Sequence, residues 1–405
     1  MKGPLSGVRI LALSHFIAGP FGSMLLGDMG AEVIKIEPPE PTANRTLAGP
    51  CHQGESFYHL AFNRSKKSVT LDLRTKMGRE AFRDLIKISD VVWTNFRPQP
   101  VKNIGADYDA VRKINPRAIC CLVSGYGLSG PYRDRPSFDI GGLAVGGVMS
   151  LTGELGGRPL KPGVPMGDIM CGTLGALGVC AALHQREQTG KGQLVDISLL
   201  DSCVATAAYE FAHYFCSGII PGPMGSGHLS LVPYNAYNTQ KGWIVIGPSW
   251  PRLARVLDME WMIEDPRFAT QAARLENKEE FDRLVQEKLL EASAEDWLEL
   301  MHVEDIAAAP VNTLDKVIAD PQVQHRNMIL EMEHALGGKV RLTGNPVKMP
   351  GSIDDSCYSA PPILGEHNEE VLGGLLGYSK TRIDKLLEEG KAHIEELSEH
   401  LHKRL

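Results

Sequence analysis

The chain has 405 residues, 43% of them hydrophobic and 22% charged. This is ordinary globular composition, which excludes disorder, and at ~150 residues per domain it suits two or three domains with cores that need no staples. The 42 basic and 49 acidic residues leave a formal charge of −7, which argues against a general nucleic-acid binder; an anionic ligand would need a local basic patch.

The first third alternates strand and helix. Val8 to Leu13 is a short β-branched run, and a glycine-punctuated helix follows from about Pro20 to Met29. Glu32 to Glu37 (EVIKIE) reads as a second strand and Ser68 to Leu73 as a third. Lys76 to Ile88 has helical spacing through Phe82, Leu85 and Ile86, and Val91 to Phe96 and Ala118 to Ser124 complete the strand set. Such alternation predicts a mostly parallel sheet in a doubly wound α/β domain. Gly141 to Gly178 then carries twelve glycines. A helix is expected over Ile169 to Arg186, where Gly172, Gly175, Ala176 and Val179 make a small-residue face open to close packing. Leu199 to Phe215 reads as a second buried helix.

From Leu231 the texture changes. VPYNAYNTQKGWIVIG reads as a hairpin turning at Lys241-Gly242, and Lys278 to Ala292 and Ala294 to His302 read as helices. These suggest a smaller α+β domain over 231–328, leaving 1–230 and 329–405 for the large domain. HALGGKVRLTGNPVKM returns to strand pattern around Gly337-Gly338, and Lys380 to Leu405 reads as a charged surface helix. The uncharged stretches Ile140 to Gly153 and Ile169 to Leu183 fall short of the ~18 residues of a membrane span. MKGPLSGVRILAL lacks a signal-peptide layout, and Cys51, Cys120, Cys121, Cys171, Cys180, Cys203, Cys216 and Cys357 form no C-x-x-C pair. A cytoplasmic protein with buried free thiols is expected, with no membrane or nucleic-acid partner and no metal.

The dinucleotide fingerprint G-x-G-x-x-G, the P-loop, the G-x-S-x-G elbow and the H-E-x-x-H helix are all absent. One constellation stands out. GRPLKPGVPMGD places Asp168 at the start of the apolar helix. It reads either as an N-cap that satisfies free amide donors or as a carboxylate nucleophile held ionised by the helix terminus.

At these residues the sequence resembles the family III coenzyme A transferases, which have 2-methylacyl-CoA racemases as relatives. The resemblance runs through LSGVRILALSHFIAGPFGSMLLGDMGAEVIKIE, FNRSKKSVTLDL, WTNFRP, INPRAICCLVSGYGLSGPYRDRPSFD, GRPLKPGVPMGDIMCG, TGKGQLVDISLLDS, EDPRF and PVNTLDKVIADPQV, in the family's order and over nearly the whole chain. It implies that Asp168 attacks an acyl-CoA carbonyl to give a mixed anhydride, that CoA thiolate converts this to an aspartyl-CoA thioester, and that an incoming acid reverses the steps. CoA and acyl-CoA are then substrates, with no tightly bound cofactor.

The same resemblance assigns CoA contacts to Ile17, Ala18, Leu71, Arg74, Asn95, Phe96, Arg97 and Ile104, and active-site support to His15 and Asp139, the latter also readable as a loop cap. Pro38 and Asn103 depart from the pattern, where other members place arginine, so Arg45, Arg64 or Lys102 are candidates to compensate. Phe138 stands where the racemases carry a histidine, which favours a transferase over a 2-methylacyl-CoA racemase, with His15 the substitute base if racemisation occurred. A CoA-binding scaffold without activity is the non-enzymatic alternative. GSGHLSLVPY, from Gly225 to Tyr234, resembles a block of members that handle dicarboxylic acids, so a succinyl-CoA-type donor and a small organic acid acceptor are expected. The implied fold is a Rossmann-like large domain with a smaller α+β domain in an interlocked homodimer.

Overall fold

The computed structural model describes residues 3–402. It divides into two compact units. One takes in the chain up to Met149, Lys161–Ile220 and Gln324 onward; the other takes in Ser150–Leu160 and Pro221–Val323.

The first unit is built on six strands, β1 (Arg9–Leu13), β2 (Glu32–Glu37), β3 (Lys66–Thr70), β4 (Val91–Thr94), β5 (Ile119–Ser124) and β6 (Leu194–Ser198), all paired in parallel in the order β3-β2-β1-β4-β5-β6. Because successive side chains alternate between faces, Leu11, Leu13, Ile34, Ile36 and Val92 enter one core layer, while Ile10, Ala12, Val33, Val91 and Trp93 enter the other. Both faces are covered, which is why the strands read as nearly continuous apolar runs.

The helices that matter here are α1 (Ala18–Asp28), α2 (Phe57–Phe62), α3 (Lys76–Lys87), α4 (Pro98–Asn103), α5 (Asp139–Val145), α6 (Met166–Thr189), α7 (Leu199–Thr206) and α8 (Ala208–Ser217). α3 covers the first layer with Ala81, Phe82, Leu85 and Ile86; α1 and α6 cover the second. The strand order reverses between β1 and β4. A doubly wound sheet opens a crevice at the carboxyl ends of its strands at such a point.

α1 and α6 meet backbone to backbone. A Cβ on Gly22 would collide with the Gly172 carbonyl and the Trp93 ring, and one on Gly172 with the Ala18 carbonyl. The small-residue face expected on the long helix is therefore a packing surface. α6 is also the one helix among the described residues long and apolar enough to cross a membrane. Here Cys171, Gly172, Gly175, Ala176, Val179, Ala182 and Leu183 are buried in the unit's own core.

Several expectations need correction. The single buried helix expected from Leu199 breaks at Ala207, and α8 has no buried residue. Tyr209, Tyr214 and Phe215 are 46%, 41% and 75% exposed. Four cysteines are buried, but Cys51, Cys216 and Cys357 are exposed. The C-terminal helix Lys380–His402 is not only a surface element: Ile383 and Leu386 join the first core layer, and His393 Nδ1 lies 2.8 Å from Asp72 Oδ2. Its expected continuation to Leu405 lies outside the described residues.

The second unit holds a three-stranded antiparallel sheet, with the hairpin Asn235–Asn238/Trp243–Ile246 joined by Ala308–Pro310, over a core that includes Tyr237, Phe268, Phe281 and Met301. Sequence reading placed this domain at 231–328. The compact unit begins earlier and includes Ser150–Leu160, because Gly225 N–H bonds to the Gly153 carbonyl at 2.8 Å, a long-range tie that no local pattern announces.

Gly172→Val should cost about 3 kcal/mol, the upper end for overpacking, because the new side chain meets backbone rather than a movable side chain. Thermal unfolding checks this; an unchanged midpoint would show that the α1–α6 contact is looser than described.

Candidate active site

Two cavities open at the carboxyl ends of the strands. The first, about 570 Å3, is lined by His15, Phe16 and Ala18 after β1, by Asn95, Phe96 and Arg97 after β4, by Ser124 at the end of β5, and by Arg133, Arg135, Phe138 and Asp168. The second, about 620 Å3, is lined by Lys35, Glu37 and Pro38 on and after β2, by Leu71 and Arg74 after β3, and by Ile104. His15, Phe16, Phe96 and Pro100 line both.

Asp168 is the third residue of α6 and half-buried. It does not cap its own helix. Pro165 stands at the N-cap and offers no side-chain acceptor, and the backbone N–H of Asp168 instead donates to Asp139 Oδ1 at 3.0 Å. Asp139, at the start of α5, thus supplies from another element the acceptor that the terminus of α6 needs. The cost falls on Asp168. Burial, then the nearby Asp139 carboxylate, push its pKa up to about 7, opposite to the helix-terminus effect expected from the sequence. Tyr58 on α2 lies in the field of the same two carboxylates, and burial, Asp168 and Asp139 raise its pKa. No motif marked Tyr58, because α2 reaches this region only through the fold.

The loop after β1 is held from three sides. Lys35 Nζ donates to the Ser14 carbonyl at 2.8 Å. The Asn95 amide accepts from His15 N–H at 3.0 Å and donates to the His15 carbonyl at 2.7 Å. The Asn44 amide does the same for Phe16, at 2.9 and 3.1 Å. Phe16 has a left-handed φ of 56°, which a bulky side chain adopts at a cost of roughly 1–2 kcal/mol. Burial, then Lys35, lower the His15 pKa to about 4, so its imidazole is neutral at pH 7 and a weak base. Lys35 had a sequence signal that went unread: a lysine and a glutamate alternating with isoleucines in a central strand must be buried and therefore partnered.

The expected CoA contacts divide. Ala18, Asn95, Phe96 and Arg97 line the first cavity, and Leu71, Arg74, Phe96 and Ile104 the second. Ile17 is buried and lines neither. Asn95 offers little to a ligand because both ends of its amide are engaged with His15. The Arg74 guanidinium is bound bidentately by Asp72, at 2.7 and 2.9 Å, with Glu40 at 3.5 Å, so its charge is already compensated. Arg97 has no side-chain ion pair or hydrogen bond among the described residues, and Arg135 lies over the Tyr132 ring at 3.7 Å without a carboxylate partner. Pro38 lines the second cavity, and exposed Asn103 pairs with Gln99. Arg45 and Arg64 cannot serve as compensating cations: Arg45 is buried between Glu37 and Glu55, and Arg64 is buried on Asp28. Removing either from its partners would leave an unpaired buried carboxylate. Lys102 is exposed and lines neither cavity.

Comparison with known proteins converges on one family. The family model for CoA-transferase family III matches residues 5–368. The chain is 35% identical over 392 residues to a Homo sapiens protein named succinyl-CoA:glutarate CoA-transferase, covering 96% of this chain and 89% of that one. It is 34% identical over 386 residues to a Chloroflexus aurantiacus succinyl-CoA–D-citramalate CoA-transferase, covering 93% and 95%. Among solved structures, a CAIB/BAIF family protein from Brucella suis matches with a TM-score of 0.83 at 33% identity, over 93% of this chain and all of that one.

The raised Asp168 pKa has a stability consequence with a definite sign. Between the ordinary carboxylate range near 4 and about 7, the folded protein binds a proton there that the unfolded chain has released, so this group makes stability fall as pH rises through that window. Asp168→Asn removes the effect, and its melting temperature should exceed that of the wild type at pH 8 by more than at pH 4. Equal differences at both pH values would contradict the shift. Asp139→Asn keeps an acceptor for the Asp168 N–H and removes the repelling charge, so it should move the Asp168 titration downward.

Proposed function

This chain belongs to CoA-transferase family III, and we propose that it moves CoA from an acyl-CoA donor to a carboxylic acid acceptor through covalent intermediates on Asp168. The observation that carries the reading is the placement of Asp168: half-buried, held through its backbone by Asp139, and in the same cavity as the unpaired Arg97. With its pKa at about 7, a substantial fraction is carboxylate at neutral pH, and the ionised form is destabilised by its surroundings and so poised to react.

The Asp168 carboxylate attacks the thioester carbonyl. The carbonyl π pair moves to oxygen and returns as the C–S bond breaks, so a mixed anhydride forms and CoA leaves as thiolate. The thiolate attacks the aspartyl carbonyl, forming aspartyl-CoA thioester and releasing the donor acid as its carboxylate. The acceptor carboxylate attacks that thioester, giving a second anhydride and CoA thiolate. Thiolate attack on the acceptor carbonyl gives the new acyl-CoA and restores Asp168. The overall exchange replaces one CoA thioester with another of similar energy, and the anhydrides between them keep the acyl groups activated, provided water is kept from them.

The chain acts on small organic acids. The relatives' names pair succinyl-CoA with glutarate, D-citramalate and mesaconate, which supports succinyl-CoA as donor and a dicarboxylate as acceptor here. Arg97, the member of the expected arginine pair without a carboxylate partner, is proposed to bind a CoA phosphate. The exposed aromatic residues of α8, with Ile219 and Ile220 at 65% and 80% exposure, support association with a second copy as the interlocked homodimer implied by the family resemblance.

Incubation with succinyl-CoA and hydroxylamine, without acceptor, should convert Asp168 to its hydroxamate. Asp168→Ala should lose transfer while keeping CoA binding. Turnover near wild type in that variant would refute the nucleophile. Loss of one charged hydrogen bond, about 1.5–3 kcal/mol, makes Arg97→Ala raise KM for CoA esters tenfold or more; an unchanged KM would remove Arg97 from the CoA site. Phe138 at the racemase base position and the weak basicity of His15 lead to a third expectation. A 2-methylacyl-CoA in deuterated water should gain little deuterium at C2, whereas rapid exchange without acceptor would favour the racemase.

A further inference from the structure

The loop after β1 carries a feature that neither CoA binding nor the nucleophile explains. Asn44 is 2% exposed, and both ends of its amide are engaged with the backbone of one residue, Phe16. It therefore has little left to offer a ligand, although it borders the second cavity. What it holds is unusual, since Phe16 sits at φ 56°. A phenylalanine keeps that conformation only where its surroundings over-determine it.

The direction imposed on Phe16 places its ring in a row. Phe96 stacks on His15 with centroids 5.0 Å apart, His15 meets the edge of Phe16 at 4.9 Å, and Phe16 meets the edge of Phe138 at 5.5 Å. The row begins in the loop after β4 and ends at the N-cap of α5. The next residue, Asp139, is the one whose carboxylate receives the Asp168 N–H. His15 and Phe16 line both cavities, so a thioester extending from one cavity to the other must pass these two rings. Phe138 is 62% exposed.

We infer that Asn44 is a positioning residue for the transfer reaction: by fixing the Phe16 backbone it sets the Phe16 ring against Phe138, and so fixes where the thioester crosses toward Asp168. The inference rests on Asp168 being the nucleophile. Asn44 acts only through Phe16 and touches no reacting atom. Loss of its amide would leave the other residues lining the second cavity in place and let the Phe16 ring shift, and displacements of about 1 Å in such groups can cost on the order of 10²-fold in rate.

The test is a double-mutant cycle on the full chain with succinyl-CoA, reading the rate of Asp168 hydroxamate formation and the KM for the thioester. Asn44→Ala should slow formation at saturating thioester tenfold or more while KM stays within about twofold. Phe16→Gly keeps both Asn44 bonds and suits the left-handed backbone but deletes the ring, so it should show the same split. The double variant should be no slower than the slower single variant, because the two share one route. An additive double variant, a KM that rises in step with the loss of rate, or an unchanged rate in Asn44→Ala would overturn the inference. If Asn44→Ala does not fold, Phe16→Gly decides: a slower rate with KM retained supports the positioning role of the Phe16 ring, and an unchanged rate overturns it. Wild-type protein without hydroxamate at Asp168 would defeat the nucleophile reading and this inference with it; hydroxamate formed equally fast in wild type and Asn44→Ala would defeat this inference alone.

Discussion

The near-contact of two backbones, at Gly22 on α1 and Gly172 on α6, is the constraint on which the rest of the site depends. Both helices begin beside the same cavity, α1 with Ala18 and α6 with Asp168 in its first turn. Because a Cβ on Gly172 would strike the Ala18 carbonyl, only glycine lets the two helix starts lie this close. The loop after β1 and the acidic residue of α6, far apart in sequence, are thereby brought to one cavity. Ridge-into-groove packing of larger side chains would separate the helix axes by 8–10 Å and carry the Asp168 turn away from the β1 loop.

Charge in this unit is divided between fixed and available groups. Lys35, Glu37, Arg45, Glu55, Asp28 and Arg64 are buried and paired, and Lys35 and Arg45 hold the Glu37 carboxyl down at about 2 against its burial. These groups set the shape of loops, and their charges are compensated by one another. Among the described residues Arg97 and Arg135 have no carboxylate partner at the first cavity, and they supply the local positive charge that a chain of net charge −7 lacks as a whole. Asp168 stands between these classes. Its backbone is held by Asp139, while burial, and then the charge of that same residue, push the pKa of its carboxyl up to about 7, so one contact both supports the helix start and disfavours the charge beside it.

Much of this was legible along the chain. EVIKIE, VVWT and the run before Ser124 announced parallel strands by composition, since a strand buried on both faces has little choice but Val, Ile and Cys. The hairpin turn before Trp243 and the helix around Phe82 followed from turn chemistry and period. Asp168 could be singled out because a carboxylate at the start of a long apolar helix is either a cap or a functional group. Local pattern ends there. It offered Asp168 as a cap or a nucleophile, whereas the capping acceptor is Asp139, and the resemblance gave Arg74 to CoA, whereas Asp72 two residues earlier holds it. It also gave α8 a buried face that one chain does not supply.

The sequence by itself determined the family and the alternating βα order and singled out Asp168, because these depend on residue type and short-range spacing. The tertiary structure decided which charges are available, how Asp168 titrates, and that Lys35, Asn44 and Asn95 converge on Ser14, His15 and Phe16. Burial and through-space electrostatics depend on which elements meet, and hydrogen bonds between loops at the ends of different strands leave no period in the chain. Only the closing of the sheet brings those loops to one crevice.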